Sequence, residues 1–227
     1  MARIGIVGAA RALYIGSFLH LSGCQVAYVV SDSLRDEVTA AERILVSDRK
    51  DRRFEVPAEE CQLLTDVAEL AAEDVSLDFL IVSVKACATE RLAESLKHMD
   101  GKVVIVSLQN GVDNTETLRR ILPNTTVIAG MLPFNVAHLP NAHFHQASVG
   151  PVFLEDCEEA STLAQILIEA GMNTQLSGNM TGLLYGKHLL TLVNAIAALA
   201  GASLQEILAD RTYRSGVLAR CISEGLA

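Results

Sequence analysis

A chain of 227 residues, half of them hydrophobic, is long enough for one large domain, or one domain plus a smaller second one, and far too apolar for disorder. Its formal net charge of -9, with no Lys/Arg-rich block, excludes a basic face for nucleic acid, so any anionic small molecule must be held by local groups. Five scattered cysteines without a C-x-x-C pair exclude a disulfide framework and fit reduced thiols in a cytosolic protein.

The N-terminus passes from Met1-Ala2-Arg3 straight into Ile4-Gly5-Ile6-Val7, without the apolar length or the cleavage site of a secretory signal, which again predicts the cytoplasm. Short Val/Ile-rich runs then alternate with helical patterns: strand 3–7, helix 12–22, strand 25–31, helix 34–45, strand 77–84, helix 88–99, strand 103–108, helix 114–122 and strand 126–130. That alternation predicts βαβ units and an α/β fold with a mainly parallel sheet. Residues 48–64 are polar with weak alternation and read as a small excursion or hairpin before a helix at 66–73. From Met131 the segments shorten (131–136, 143–149, 152–155), which predicts antiparallel strands that extend the sheet, then a helix at 158–170 and a strand near 173–177. After Gly178 the chain reads as helical: Met180 to Ala200, Leu204 to Ala209, and Tyr213 to the end. The apolar stretch from Leu189 to Gly201, interrupted by Thr191 and Asn194, falls short of the roughly 18–20 residues that span a bilayer and reads as a buried core helix.

In an open α/β sheet, ligands bind outside the C-terminal ends of the strands. Two polar residues fall on that edge: Lys85 after the strand at 77–84, and Asn110 in Gln109-Asn110-Gly111 after the strand at 103–108. Each has a plainer reading, Lys85 as a solvated strand end and Asn110-Gly111 as a turn dipeptide. After the first strand, Gly8-Ala9-Ala10-Arg11-Ala12-Leu13 stands where a dinucleotide-binding fold carries G-x-G-x-x-G. Only Gly8 matches directly. In register, Ala10 and Leu13 replace the second and third glycines; with one residue lost, Ala12 takes the third place. A methyl group or a shortened loop there obstructs a phosphate, and Arg11 either compensates by pairing with it or is simply solvated. Asp32, after the second strand, either hydrogen-bonds an adenosine ribose, which tilts towards NAD over NADP, or caps the next helix.

The helix at 180–200 carries Lys187, Thr191 and Asn194 as a polar stripe on one face. A lysine partly buried in a crevice has its ammonium destabilised and becomes a proton donor near neutral pH, whereas one that snorkels stays an ordinary surface cation. His143-x-His145 would project to one side of a strand, with His138 nearby, but no carboxylate or cysteine completes a ligand set. These are read as half-exposed strand histidines, and no metal is expected.

Taken together, these segments resemble the ketopantoate reductases (2-dehydropantoate 2-reductases) over essentially the whole chain. The matching stretches are Ile4 to Ala9, Val84-Lys85-Ala86, Ser107 to Val112 with Glu116, Ala129 to Asn135, and Tyr185-Gly186-Lys187 through Asn194 to Gly201. The resemblance implies a Rossmann-type domain, residues 1–178, and an incomplete all-α substrate or dimerisation domain, 179–227. It implies hydride transfer from NADPH, or from NADH, to the 2-keto carbon of a small keto acid, as in ketopantoate to pantoate. Lys187 would then be the catalytic general acid. Gly8, Ala9, Ala10, Arg11, Ala12, Asp32, Lys85 and Asn110 would line the cofactor, and Asn110, Lys187, Thr191 and Asn194 the substrate. The chain departs from the family in its altered glycine loop, in Asp32 where a basic residue often stands, and in Thr191 and Ala197 where asparagines are usual. The family's remaining helical domain would lie beyond Ala227, so the chain is expected to be a truncated or diverged member: a reductase or, alternatively, an impaired binding or dimerisation module. The expected partners are a keto acid and, through an apolar helix face, a second copy of the chain as a homodimer; neither nucleic acid nor membrane is expected.

Overall fold

In the computed structural model, which describes residues 1–72 and 76–225, the first half of the chain forms β1 (Arg3–Gly8), α1 (Ala10–Leu21), β2 (Gln25–Val29), α2 (Asp32–Ala41), β3 (Arg43–Asp48), β4 (Arg53–Pro57), β5 (Gln62–Leu64), α3 (Glu69–Ala72), β6 (Phe79–Ser83), α4 (Thr89–Ser95) and β7 (Val104–Ser107). It continues with α5 (Asn114–Ile121), β8 (Val127–Met131), β9 (Val136–Leu139), β10 (His143–Gln146), β11 (Val152–Glu155), α6 (Glu158–Glu169) and β12 (Thr174–Ser177). All of these belong to one unit, Met1–Met180. The main sheet has the order β12-β11-β8-β7-β6-β1-β2-β5 and is parallel except where β11 meets β8. Its central strands are near-continuous apolar runs, Ile4 to Val7, Phe79 to Val82 and Val104 to Val106, because both faces are covered. Phe79 and Ile81 of β6 join the core on the α1 side, while Leu80 and Val82 pack with Leu92 of α4 and Leu118 of α5 on the other.

The first helix carries apolar residues all round, and such a helix must be buried on all sides. Ala12 to Leu19 are all buried. A second, four-stranded sheet, β4-β3-β10-β9, covers the side that the main sheet leaves open. Across this second contact the Tyr14 hydroxyl donates to Gln146 Oε1 at 2.9 Å, and Phe18 packs edge-on against Phe54.

This second sheet corrects several sequence expectations. The predicted helix 34–45 ends at Ala41, because Glu42 turns into the left-handed region (φ 58°) and the buried run Ile44-Leu45-Val46 becomes β3, paired with both β4 and β10. Residues 48–64 do not form the small hairpin expected within them: β4 pairs back onto β3, most of which lies before that stretch, while Gln62–Leu64 is an edge strand parallel to β2. Only β11 extends the main sheet as an antiparallel strand; β9 and β10 leave it to cover α1, and residues 132–135, predicted as strand, connect β8 to β9. The helix expected at 88–99 stops at Ser95 and is followed by a separate turn of 3-10 helix, Lys97–Met99. Of the helix expected at 66–73, Glu69–Ala72 is helical and residue 73 lies outside the described residues, as do 226 and 227 of the last one.

The second unit, Thr181–Ala227, holds nearly all of α7 (Met180–Ala200), then α8 (Leu204–Ala209), a π-helical turn at Tyr213–Leu218 and α9 (Ala219–Gly225). Ser203 opens α8 with a capping box closed by Glu206. Helix α7 is not the buried core helix expected. By length and composition it is long and apolar enough to cross a membrane, yet only 11% of that stretch is buried.

Two substitutions test this packing. Adding a methyl at Gly16 collides with the Tyr28 ring where α1 crosses β2, so Gly16→Ala should cost about 1–3 kcal/mol in urea denaturation with the slope unchanged. Asp48, 5% exposed, accepts from the backbone N–H groups of Lys50 (2.8 Å) and Arg52 (3.1 Å) and from Arg52 Nε (2.6 Å), closing the β3–β4 loop. Burial pushes its pKa up, but these bonds outweigh burial and hold it below the ordinary value. Its stabilisation is therefore complete above the unfolded carboxyl pKa of about 3.9 and is lost as pH falls through the lower folded value. Asp48→Asn should be less stable by about 1–3 kcal/mol at pH 7, and the gap to wild type should close in acid.

Candidate active site

The C-terminal ends of β1, β2 and β6 open onto a crevice of about 690 Å³, walled by Gly8 and Ala9, by Val30 and Ser31, by Asp66, and by Ser83 and Lys85. Its floor demands Gly8. The residue has φ +156°, and a Cβ there would sit 3.0 Å from the carbonyl oxygen of Ser83 and 3.2 Å from Ala12 Cβ. The glycine thus serves the close approach of β1 to β6 as well as any ligand.

Helix α1 begins at this floor. Ala9 is its N-cap and supplies no side-chain acceptor, and the first turn contains no acidic residue, so the N–H groups that lack intrahelical partners face outward uncapped. Arg11 in this first turn adds a cation to the positive end of the helix dipole. It is half-buried, and desolvation lowers its pKa. Its Nη1 donates to Asn110 Oδ1 at 3.3 Å, which joins the loops after β1 and β7 at the sheet edge. Ala10, whose methyl was expected to obstruct a phosphate, is half-buried and packs against the core; Ala12 is wholly buried. A buried hydroxyl on the crevice wall, Ser83 Oγ, has no hydrogen-bond partner among the described residues. An uncapped helix end and, among the described residues, a cation with no carboxylate partner and an orphaned hydroxyl lie on the loops of this sheet edge, features that an anionic dinucleotide fits.

The ribose end differs in detail from the sequence reading. Ser31, not Asp32, is the N-cap of α2, accepting from Leu34 N at 3.4 Å. Asp32 is the first residue of that helix and pairs with Arg35 at 3.3 Å. The carboxylate on the crevice wall is that of Asp66, a residue which the sequence pattern did not single out. Lys85 and Asn110 are both exposed, at the positions expected of strand-end residues.

The second unit carries the remaining predicted residues on α7. Lys187 is half-buried, and Asn194 and Thr191 are exposed. Thr191 spends its hydroxyl on the helix itself, donating to Lys187 O at 3.0 Å. The strand histidines bind neighbours: His143 Nε2 and His145 Nδ1 lie 2.7 and 2.8 Å from Ser47 Oγ, and His138 pairs with Glu37. Among the described residues no group of three or more His, Cys, Asp or Glu is arranged to hold a metal.

The family model described as ketopantoate reductase PanE/ApbA matches residues 4–159. No curated protein matches the chain. Among solved structures, a PanE/ApbA family ketopantoate reductase from Ralstonia eutropha JMP134 is 22% identical with a TM-score of 0.85, over 99% of this chain and 72% of that one. The 2-dehydropantoate 2-reductase from Geobacter metallireducens GS-15 gives 23% and 0.83, over 99% and 75%. D-mandelate dehydrogenase in its complex with NADH gives 18% and 0.78, over 98% and 71%. At these identities the structural likeness establishes the fold, and the family follows from the match to more than half of the chain: it belongs to the ketopantoate reductase PanE/ApbA family of oxidoreductases.

Proposed function

We propose that the chain is a nicotinamide-dependent reductase of a small 2-keto acid of the ketopantoate kind, working in the cytoplasm as a homodimer. The observation that carries the cofactor half of this reading is Arg11: a half-buried cation with no carboxylate partner among the described residues, in the first turn of an uncapped helix, beside the one retained loop glycine. Isolated positive charge at the positive end of a helix is unfavourable, and an anion between them relieves it. When bound, the cofactor supplies the hydride. The chain's own part is to hold a diphosphate at α1 with Arg11 and to direct Lys85 and Asn110 along the same edge. Lys187 gives the proton to the oxygen on which charge develops. This last role rests on the family resemblance, as do the substrate contacts of Asn110, Thr191 and Asn194. NADPH is the usual cofactor of such enzymes, while the carboxylate of Asp66 on the crevice wall favours a free ribose hydroxyl and hence NADH.

Titration of the protein with each cofactor, read by nicotinamide fluorescence and by the rise in melting temperature, tests the first half, since a ligand that binds only the folded state must raise it. Micromolar binding of one of them is expected; no binding of either at millimolar concentration would sink the reading. Arg11→Ala should weaken the cofactor by about 10- to 100-fold, the worth of a hydrogen bond to a charged group. Lys187→Ala should lower kcat on a keto acid by about 100- to 10,000-fold while leaving cofactor affinity in place. Equal loss of affinity and kcat would argue against a proton-donor role.

A further inference from the structure

The ladder between β6 and β7 runs as far as the bond from Leu108 N to Val82 O at 2.8 Å, just before the two loops that carry Lys85 and Asn110. A relay of buried side chains takes over. Ser107 Oγ donates to Gln109 Oε1 at 3.1 Å. Gln109 Nε2 donates to the carbonyl of Val84 at 3.2 Å and to Thr89 Oγ1 at 2.8 Å. Thr89 Oγ1 donates onward to Asn114 Oδ1 at 2.8 Å, and Asn114 Nδ2 donates to the carbonyl of Asn110 at 2.8 Å. Ser107, Gln109, Thr89 and Asn114 are 3%, 2%, 2% and 6% exposed.

Every donor in this relay meets an acceptor, and its direction is fixed. Gln109 uses both amide protons, so a flip would set its oxygen against the Val84 carbonyl; Thr89 accepts from one side and donates to the other. The two carbonyls that receive the ends of the relay are those of Val84, which precedes Lys85, and of Asn110 itself. Gly111, at φ +108°, leaves room for it: a Cβ there would lie 3.0 Å from Asn114 Nδ2. For holding α4 against α5 alone, apolar side chains of the same shape would do nearly as well.

We propose that Gln109, Thr89 and Asn114 are positioning residues that set the spacing of Lys85 and Asn110, so that the two loops move as one. Their role in catalysis rests on the reductase reading above; their coupling of the loops does not. Displacing a group at a reacting site by about 1 Å can cost on the order of 100-fold in rate.

Hydrogen exchange on the ligand-free protein, compared for wild type, Thr89→Val and Thr89→Ser, reads the coupling directly. Valine keeps the shape and removes the hydroxyl; serine restores it. Thr89→Val should lose amide protection at both 84–89 and 109–114, and Thr89→Ser should regain it at both. Loss confined to 84–89, or none, would overturn the proposal. In turnover, Thr89→Val should lower kcat by up to about 100-fold with a smaller change in the keto-acid KM, and Thr89→Ser should recover most of it; an unchanged kcat would overturn the positioning role. If Thr89→Val melts far below wild type, Asn114→Ala, which cuts the relay at its far end, carries the same comparison. A wild-type chain that binds no nicotinamide cofactor defeats the reductase reading and the catalytic role with it, whereas the exchange data still decide whether the relay couples the loops.

Discussion

The burial of α1 on every side is the constraint from which most of the first unit follows. A helix with Leu13, Ile15, Phe18 and Leu19 around its circumference cannot rest on one sheet and show its other side to water. The main sheet covers one side through β1 and β2, and the fold adds a second, four-stranded sheet for the other. Strands from distant parts of the chain, Arg43–Asp48 and His143–Gln146, are paired in parallel to make that cover. Because the helix is clamped at Tyr14, Gly16 and Phe18, its N-terminal turn is held in one place at the sheet edge.

That fixed helix end gives the altered glycine loop its meaning. In the usual fingerprint, glycines let the backbone approach a pyrophosphate. Here one glycine remains, the alanine in the second position turns to the core, and a guanidinium stands in the first turn. An anion bound there would meet a charged side chain as well as backbone amides. In the absence of a bound anion Arg11 keeps a neutral acceptor, Asn110 Oδ1, within reach. The same asparagine is tied through its carbonyl to Asn114, so electrostatics at the loop after β1 and geometry at the loop after β7 are linked through one residue.

The strand-helix alternation of the first 130 residues, the position of Gly8 at the end of β1, and the placing of Lys85 and Asn110 on the C-terminal edge were legible in the sequence, since period and run length report burial on both faces. The second sheet was not. Ile44-Leu45-Val46 follows a helical pattern closely enough to be read as its continuation, and only pairing with β10, nearly a hundred residues away, selects strand. Thr89, Gln109 and Asn114 went unremarked as site-building residues because a buried threonine or amide has no signature of its own; the Gln109-Asn110 dipeptide was the one available hint. Asp32 and Asp66 illustrate the same limit: strand-end position picked out the first, but the path of the loop after β5 puts the second on the crevice wall.

By itself the sequence determined the class of fold and the family, and it named candidate residues on α1, the two strand-end loops and α7, because these depend on local periodicity and on short motifs. Tertiary structure alone decided which side chains are buried, which carbonyls they hold and where the cation of Arg11 stands. Those outcomes depend on contacts between residues far apart in the chain, and a hydrogen bond such as that from Thr89 to Asn114, or from Tyr14 to Gln146, exists only once both partners have been removed from water together.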